Sequence, residues 1–414
     1  MNMNGSVTKQ EKVYLREVAE KQLEYASLPE MKGKEALWYA HNALQGKRPM
    51  VVMEEETFLG ELMPPLRCTS EPGKWMERKL LQTILAFEVT GDDKVVPDYF
   101  TVFADIEVLP YNLKLKRKYA SDGIGYHIEP SFDNVEEGLG LLEESVFTFS
   151  ASSTRDKVDL AKDILDGILP VKIKNNINYW EFGLTQKVVN LMGMENMFCS
   201  MISEPEEFHK LMDFVLQDLI RFLRWQEENG LLFLNNKNDY MGSGSYCFNQ
   251  ELTGKSDQVI SRDTWGHLNS QESVGLSPEM FGEFILPYYR EMAKEFGLVY
   301  YGCCEPVDVF WDDGISMIPN LRKVSISPWC NESFMGERLQ NSSIIYSRKP
   351  SPNYLGVERE FDKESFQKYI RETVEAARGC KIEFIFRDIY RLHGNTAKVR
   401  EAVKIVRELT ADIY

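Results

Sequence analysis

Between residues 298 and 409 the chain alternates four times between a short apolar run and a longer amphipathic one. Strands are predicted at 298–301, 323–327, 343–348 and 381–386, each followed by a helix, at 306–317, 332–339, 363–378 and 396–409. A helix between consecutive strands carries the chain back to the edge it started from, so the strands must pair parallel. The class is therefore α/β. For a chain of 414 residues the architecture this predicts is a (β/α)8 TIM barrel with an N-terminal helical extension. A doubly wound sheet ranks below it, because no Gly-x-Gly-x-x-Gly turn is present to anchor a dinucleotide.

The first half is less regular. Residues 8–26 and 74–87 read as charged amphipathic helices, and residues 1–96 are expected to be a mainly helical extension packed on a barrel of residues 97–414. Within the barrel, 97–110 reads as strand then loop, and 206–228 has the apolar spacing of a helix with one buried face. The run 231–234 reads as a strand that leads into a mobile glycine and serine loop, Gly242-Ser243-Gly244-Ser245. A helix is expected over 277–296, with Ser277 as N-cap and Pro278 at its first position.

Composition narrows the function. A net charge of -16 without a basic stripe argues against a nucleic-acid groove, which must neutralise phosphates. No run approaches the roughly 18 apolar residues of a spanning helix, and the N-terminus lacks an apolar leader, so a cytoplasmic protein without a membrane is expected. Seven cysteines, an odd number in a long chain, point to reduced thiols rather than a disulfide framework.

In parallel barrels the reactive groups stand on the loops that follow the strands. Those loops carry Asp105, then Asp239, Tyr240, Ser243 and Tyr246, then Cys303, Cys304 and Glu305, then Trp329, Lys349, Asp388 and His393. Two thiols and a carboxylate after one strand suggest a soft-metal site. Neighbouring side chains near a strand end point in different directions, so one thiol of the pair is the expected ligand, and Cys303 is favoured. Asp105, Asp239 and Asp388 are the candidate catalytic acids. Plainer readings stand beside these: Glu305 as an acid at a helix start, His393 as a loop histidine, and the aromatics as core packing.

The stretches Trp265-Gly266-His267, 270–281, Pro287-Tyr288, 300–306, 319–329 and Arg348-Lys349-Pro350 together resemble the uroporphyrinogen decarboxylase-like superfamily, and within it the corrinoid-dependent methyltransferases. The resemblance is dense from about residue 239 onward and thin before 97. It implies a (β/α)8 barrel that moves a methyl group between a small methylated substrate, such as a methoxylated aromatic, a methylamine or methanol, and a corrinoid carried by a partner protein. It also implies zinc held through a His-x-Cys motif, with which Tyr301-Gly302-Cys303 aligns. Tyrosine stands where the histidine is expected, so Glu305 and His393 are the expected partners of Cys303 on the metal. Tyr240, Ser243, Tyr246, Gln271, Tyr301, Trp329 and Lys349 are the expected substrate-side residues. A homodimer is compatible with this reading. Two alternatives are a metal-free decarboxylase or lyase and a non-catalytic corrinoid or tetrapyrrole-binding module. The arginine-rich N-terminal motif of the decarboxylases is absent, the nearest stretch being Pro64-Pro65-Leu66-Arg67-Cys68.

Overall fold

The computed structural model describes residues 5–119, 126–175, 182–254 and 258–411. Its centre is a parallel sheet built from β1 (Met50–Met53), β4 (Trp265–Leu268), β5 (Leu298–Tyr301), β6 (Leu321–Ile326), β7 (Ile345–Arg348) and β8 (Ile382–Phe386). The strand order is β1-β8-β7-β6-β5-β4, so the first strand hydrogen-bonds to the last, with Met50 opposite Glu383 and Met53 opposite Phe386. Two further strands, β2 (Phe100–Phe103) and β3 (Val171–Lys174), form a separate parallel pair. The four strands expected from the alternation are the strands β5 to β8 of this sheet.

Residues 1–96 are mostly helical, with helices Lys9–Ala26, Pro29–Asn42 and Glu71–Thr90, but they also supply β1. The boundary expected at residue 96 therefore passes through the central sheet rather than beside it. Four apolar residues, Met50-Val51-Val52-Met53, are too short a run to announce a strand, and they become one by pairing with β8.

Three further expectations are corrected. The segment 306–317 forms two 3-10 turns, Val307–Phe310 and Ile315–Met317, instead of a helix. Asp313 has φ 56°, and a Cβ at Gly314 would lie 2.2 Å from the Phe310 carbonyl oxygen, so the chain folds back there. The helix expected over 277–296 is broken into Pro278–Phe284 and Leu286–Ala293, because Pro287 has no N–H to continue the ladder. Residues 231–234 do not form a strand; the side chain of Asn235 satisfies the edge of β4 instead, accepting from Trp265 N at 2.9 Å and donating to its carbonyl at 3.1 Å.

Side chains alternate across the sheet. Val299, Tyr301, Val324, Ile326, Tyr346 and Phe384 face the helices in the main apolar core. The opposite face carries a polar cluster around Glu383, which is fully buried. One oxygen of its carboxylate takes Lys323 Nζ at 3.0 Å, His41 Nε2 at 3.1 Å and Ser245 Oγ at 2.9 Å, and the other takes Ser347 Oγ at 2.6 Å. Lys323 beside it and the hydrogen bond from His41 hold the Glu383 carboxyl well below the usual carboxylate range, although burial alone would raise it. Burial likewise lowers the pKa values of Lys323 and His41. The cluster joins β6, β7 and β8 to the helix Pro29–Asn42 and to the hairpin Tyr240–Met241/Ser245–Tyr246.

That hairpin is the glycine and serine loop expected to be mobile. It is tightly packed instead: Met241, Gly242, Ser243, Gly244 and Ser245 are buried, and a Cβ at Gly244 (φ 92°) would lie 2.3 Å from Ile385 Cγ2.

Removing one member of a buried, hydrogen-bonded ion pair leaves the other charge unpaired, a loss of about 3–5 kcal/mol. Lys323→Met should therefore lower the unfolding free energy by about that amount, whereas exposed Lys12→Met, which breaks a surface pair with Asp163, should change it by less than about 1 kcal/mol. Urea denaturation of the two variants checks this, and equal effects would contradict it.

Candidate functional site

The chain leaves β5 through Gly302, whose φ of 93° is left-handed and whose missing side chain leaves room for Ser325 and Val307. The turn is held by three bonds. His267 Nε2 lies 3.1 Å from the Gly302 carbonyl oxygen, Ser325 Oγ donates to the Cys303 carbonyl at 2.7 Å, and Cys303 N donates to Glu305 Oε2 at 2.9 Å. The second Glu305 oxygen accepts Ser270 N at 2.9 Å. Glu305 is a brace: one buried carboxylate ties the loop after β4 to the loop after β5. Burial raises its pKa against those amide bonds.

The brace leaves the thiols facing the end of β8. Cys303 Sγ is 3.7 Å from Cys304 Sγ and 3.6 Å from Arg387 Nη1, and Cys304 Sγ is 3.7 Å from Asp388 Oδ2. Hydrogen bonding from Cys304, together with the Arg387 guanidinium, holds the Cys303 thiol below its ordinary range against the effect of burial. The Cys304 thiol is raised, by the bond it makes to Cys303 and by burial. The two thiols have opposite neighbours, a guanidinium at Cys303 and a carboxylate at Cys304. Arg387 also donates to Ser243 Oγ at 3.1 Å and pairs with Glu54 at 3.4 Å and Asp388 at 3.4 Å.

On the other side of Arg387 lies a cavity of about 540 Å³. Its walls come from the ends of β1 and β2, which belong to different sheets, from the helix Glu71–Thr90 and from the hairpin. The acids Glu54, Glu55 and Glu56 line it, with Lys79, Lys94 and Arg387 as bases and Tyr99, Phe100, Phe103, Tyr240 and Tyr246 as aromatics. Tyr240 donates to Glu54, and Lys94 pairs with Glu55. The Lys79 amine is pushed down to about 8 by burial and by Lys157 nearby.

The expected site residues divide into those the fold gathers here and those it does not. Ser243, Tyr240, Tyr246, Cys303 and Asp388 border the cavity or the thiol pair. Lys349 is buried just beneath, bonded to Tyr300 and to Ser347 Oγ at 3.0 Å, and burial pushes its amine down to about 7. Asp105 is not part of the cavity lining and is held by Lys157 and Ser153, and Asp239 is paired with Lys174 at 2.5 Å. Tyr301 faces the helices, with its hydroxyl on Ser270 Oγ at 2.5 Å. Gln271 opens the short 3-10 turn after β4, and Trp329 is 68% exposed. Glu54, Lys79 and Lys94 were not anticipated. The signal for Glu54 was present in the sequence, an acid ending the apolar run Met50–Met53, whereas Lys79 lies mid-helix and had none.

The residues expected to hold a metal are not brought together. Both oxygens of Glu305 are taken by backbone amides, exposed His393 contacts the Gly356 carbonyl at 3.3 Å, and a guanidinium stands against Cys303. Among the described residues no group of three or more His, Cys, Asp or Glu side chains is arranged to hold a metal ion.

No protein-family model matches the chain, and no curated protein matches it. Among solved structures, a methyltransferase from Methanosarcina mazei is similar, with a TM-score of 0.51 over 90% of this chain and 98% of that one. The identity is 11%, so the likeness is one of fold. Among the described residues no helix is long and apolar enough to cross a membrane.

If Arg387 and Cys304 depress the Cys303 thiol, Arg387→Met and Cys304→Ala should each move the pH at which Cys303 reacts with methyl methanethiosulfonate upward. A shift of one unit would slow the reaction at pH 7 by roughly tenfold. Peptide-resolved mass spectrometry across pH reads this directly. An unchanged profile in Arg387→Met would show that the guanidinium does not tune the thiol.

Proposed function

We propose that this protein is a methyltransferase of the uroporphyrinogen decarboxylase-like type, a (β/α)8 barrel that moves a methyl group between a small methylated substrate and the corrinoid of a partner protein. One observation carries this reading: a cavity of small-molecule size shares Arg387 with an unequal pair of thiols, at the C-terminal ends of parallel strands. The pairing of the first strand with the last supports barrel closure, and the fold likeness to a methyltransferase supports the class.

The surface around the site favours docking of another protein. Large apolar side chains are exposed on five successive loops at this end of the sheet: Val274 after β4, Val309 after β5, Trp329 after β6, Val357 after β7 and Tyr390 after β8. The corrinoid supplies or accepts the methyl group there. This chain binds and orients the substrate in the cavity, and Arg387, held by Glu54, Ser243 and Asp388, fixes the Cys303 sulfur beside it. No step is assigned to zinc, because Cys303, Glu305 and His393 do not form a donor set. A lyase acting on a tetrapyrrole fits less well. Three glutamates match the three bases of the cavity, and Lys94 and Arg387 are already paired, which leaves too little free positive charge for a substrate carrying several carboxylates.

The test is a methyl-transfer assay with a reduced corrinoid protein and a panel of methoxylated aromatics, methylamines and methanol. Transfer from at least one donor is expected, reduced about 10²-fold or more in Arg387→Met, as for loss of a preorganised charge at a reacting centre. Inactivity with every donor, together with decarboxylation of a porphyrinogen, would overturn the proposal.

A further inference from the structure

The charges that line the cavity are not all spoken for. Lys94 is neutralised by Glu55 and Asp92, and Arg387 by Glu54 and Asp388. Lys79 is different. Among the described residues it makes no ion pair; its ammonium donates to the Thr101 carbonyl at 3.0 Å and stands 4.4 Å from the centre of the Phe103 ring. The neighbouring Lys157 is already held by Asp105. A cation kept in a partly buried cavity without an acid is a receptor for an anion.

An acid in the same cavity is also unmatched. Glu56 makes no ion pair among the described residues, and its carboxyl is pushed up by burial and by Glu54 and Glu55 beside it. Lys79 and Glu56 both line the cavity, and among the described residues no ion pair joins them. Near the acids, Tyr240 and Tyr246 both line the cavity with their rings 6.3 Å apart and at 85° to each other. Two perpendicular aromatic faces beside a carboxylate favour a methylated ammonium, whose charge is spread over its methyl groups and is weakly hydrated.

From this arrangement we infer that the cavity binds a zwitterion, a methylated ammonium joined by a short chain to a carboxylate. Lys79 receives the carboxylate, and the corner formed by Glu56, Tyr240 and Tyr246 receives the ammonium. The inference rests on the methyl-transfer reading in one respect only, that the ammonium methyl is the group moved.

Binding can be tested without any corrinoid, by calorimetric titration of the full chain. The probes are glycine betaine and 4-(trimethylammonio)butyrate as zwitterions of two lengths, tetramethylammonium as the cation alone, and 4-methoxybenzoate as an anionic methyl ether. At least one zwitterion should bind about tenfold more tightly than either single-charge probe, the gain expected of one further charge-assisted contact. Lys79→Gln should abolish that advantage while leaving tetramethylammonium unchanged; Tyr246→Leu should weaken the zwitterion and tetramethylammonium alike. Lys79→Arg, which keeps the charge, should retain most of the advantage, and comparison of the probes on the unsubstituted chain does not depend on any variant folding. Tighter binding of 4-methoxybenzoate than of both zwitterions, or an unchanged preference in a folded Lys79→Gln, would overturn the inference. Binding of a zwitterion with no methyl transfer from any donor would instead overturn the methyl-transfer reading and keep the binding inference, and transfer from methoxylated aromatics with no zwitterion bound would keep that reading and discard the inference.

Discussion

The carboxylate of Glu383 is the constraint on which the rest of the structure depends. It is charged and fully buried in the last strand, and it survives there because lysine, histidine and two serines from four other elements converge on it. An ion so far from water is tolerated only when its lone pairs are filled. The same convergence fixes where those elements stand. Ser245 pulls the hairpin onto the sheet, His41 pulls in the second helix, and Ser347 and Lys323 set the faces of β7 and β6. The hairpin then carries Ser243 to Arg387 and Tyr240 to Glu54, so the candidate site inherits its geometry from a cluster that plays no part in its chemistry.

A second buried carboxylate works in the same manner one layer above. Glu305 spends both oxygens on backbone amides of two loops and so presents Cys303 to Arg387. A guanidinium beside a thiolate and a metal ion beside a thiolate are competing solutions to the same problem, the stabilisation of negative sulfur. In this chain the cation is supplied by Arg387, and the acid expected as a ligand acts as a brace. Each Glu305 oxygen is committed to a backbone amide of a different loop, which fixes the carboxylate as a tie between them.

Much of the fold was legible because it is local. The strands β5 to β8 stand out as apolar runs between amphipathic ones, the helix expected over 8–26 is Lys9–Ala26, and the one expected over 74–87 starts three residues earlier, at Glu71 behind the Ser70 cap. Failures came where a local signal met a longer-range one. The run 231–234 has strand composition, yet the Asn235 amide serves the edge of β4 in its stead; Gly242 to Ser245 has loop composition, yet Ile385 closes over it. At the site, the thiol pair and Asp388 could be found from their positions after strands, whereas Tyr240, Ser243 and Tyr246 were reached through a strand at 231–234 that does not form. Lys79 could not, because nothing in a helix sequence says that one lysine among many faces a cavity.

The sequence by itself determined the α/β class, the parallel direction of the strands and the presence of reactive groups at one end of them, since periodicity and strand-helix alternation act over a few residues at a time. Only the tertiary structure decided which charges meet. Pairing depends on distances between elements hundreds of residues apart, such as His41 with Glu383 or Glu54 with Arg387. That is why the expected metal ligands separated into a thiol beside a guanidinium, a brace and an outer-loop histidine, and why an unclaimed lysine and an unclaimed glutamate came to face the same cavity.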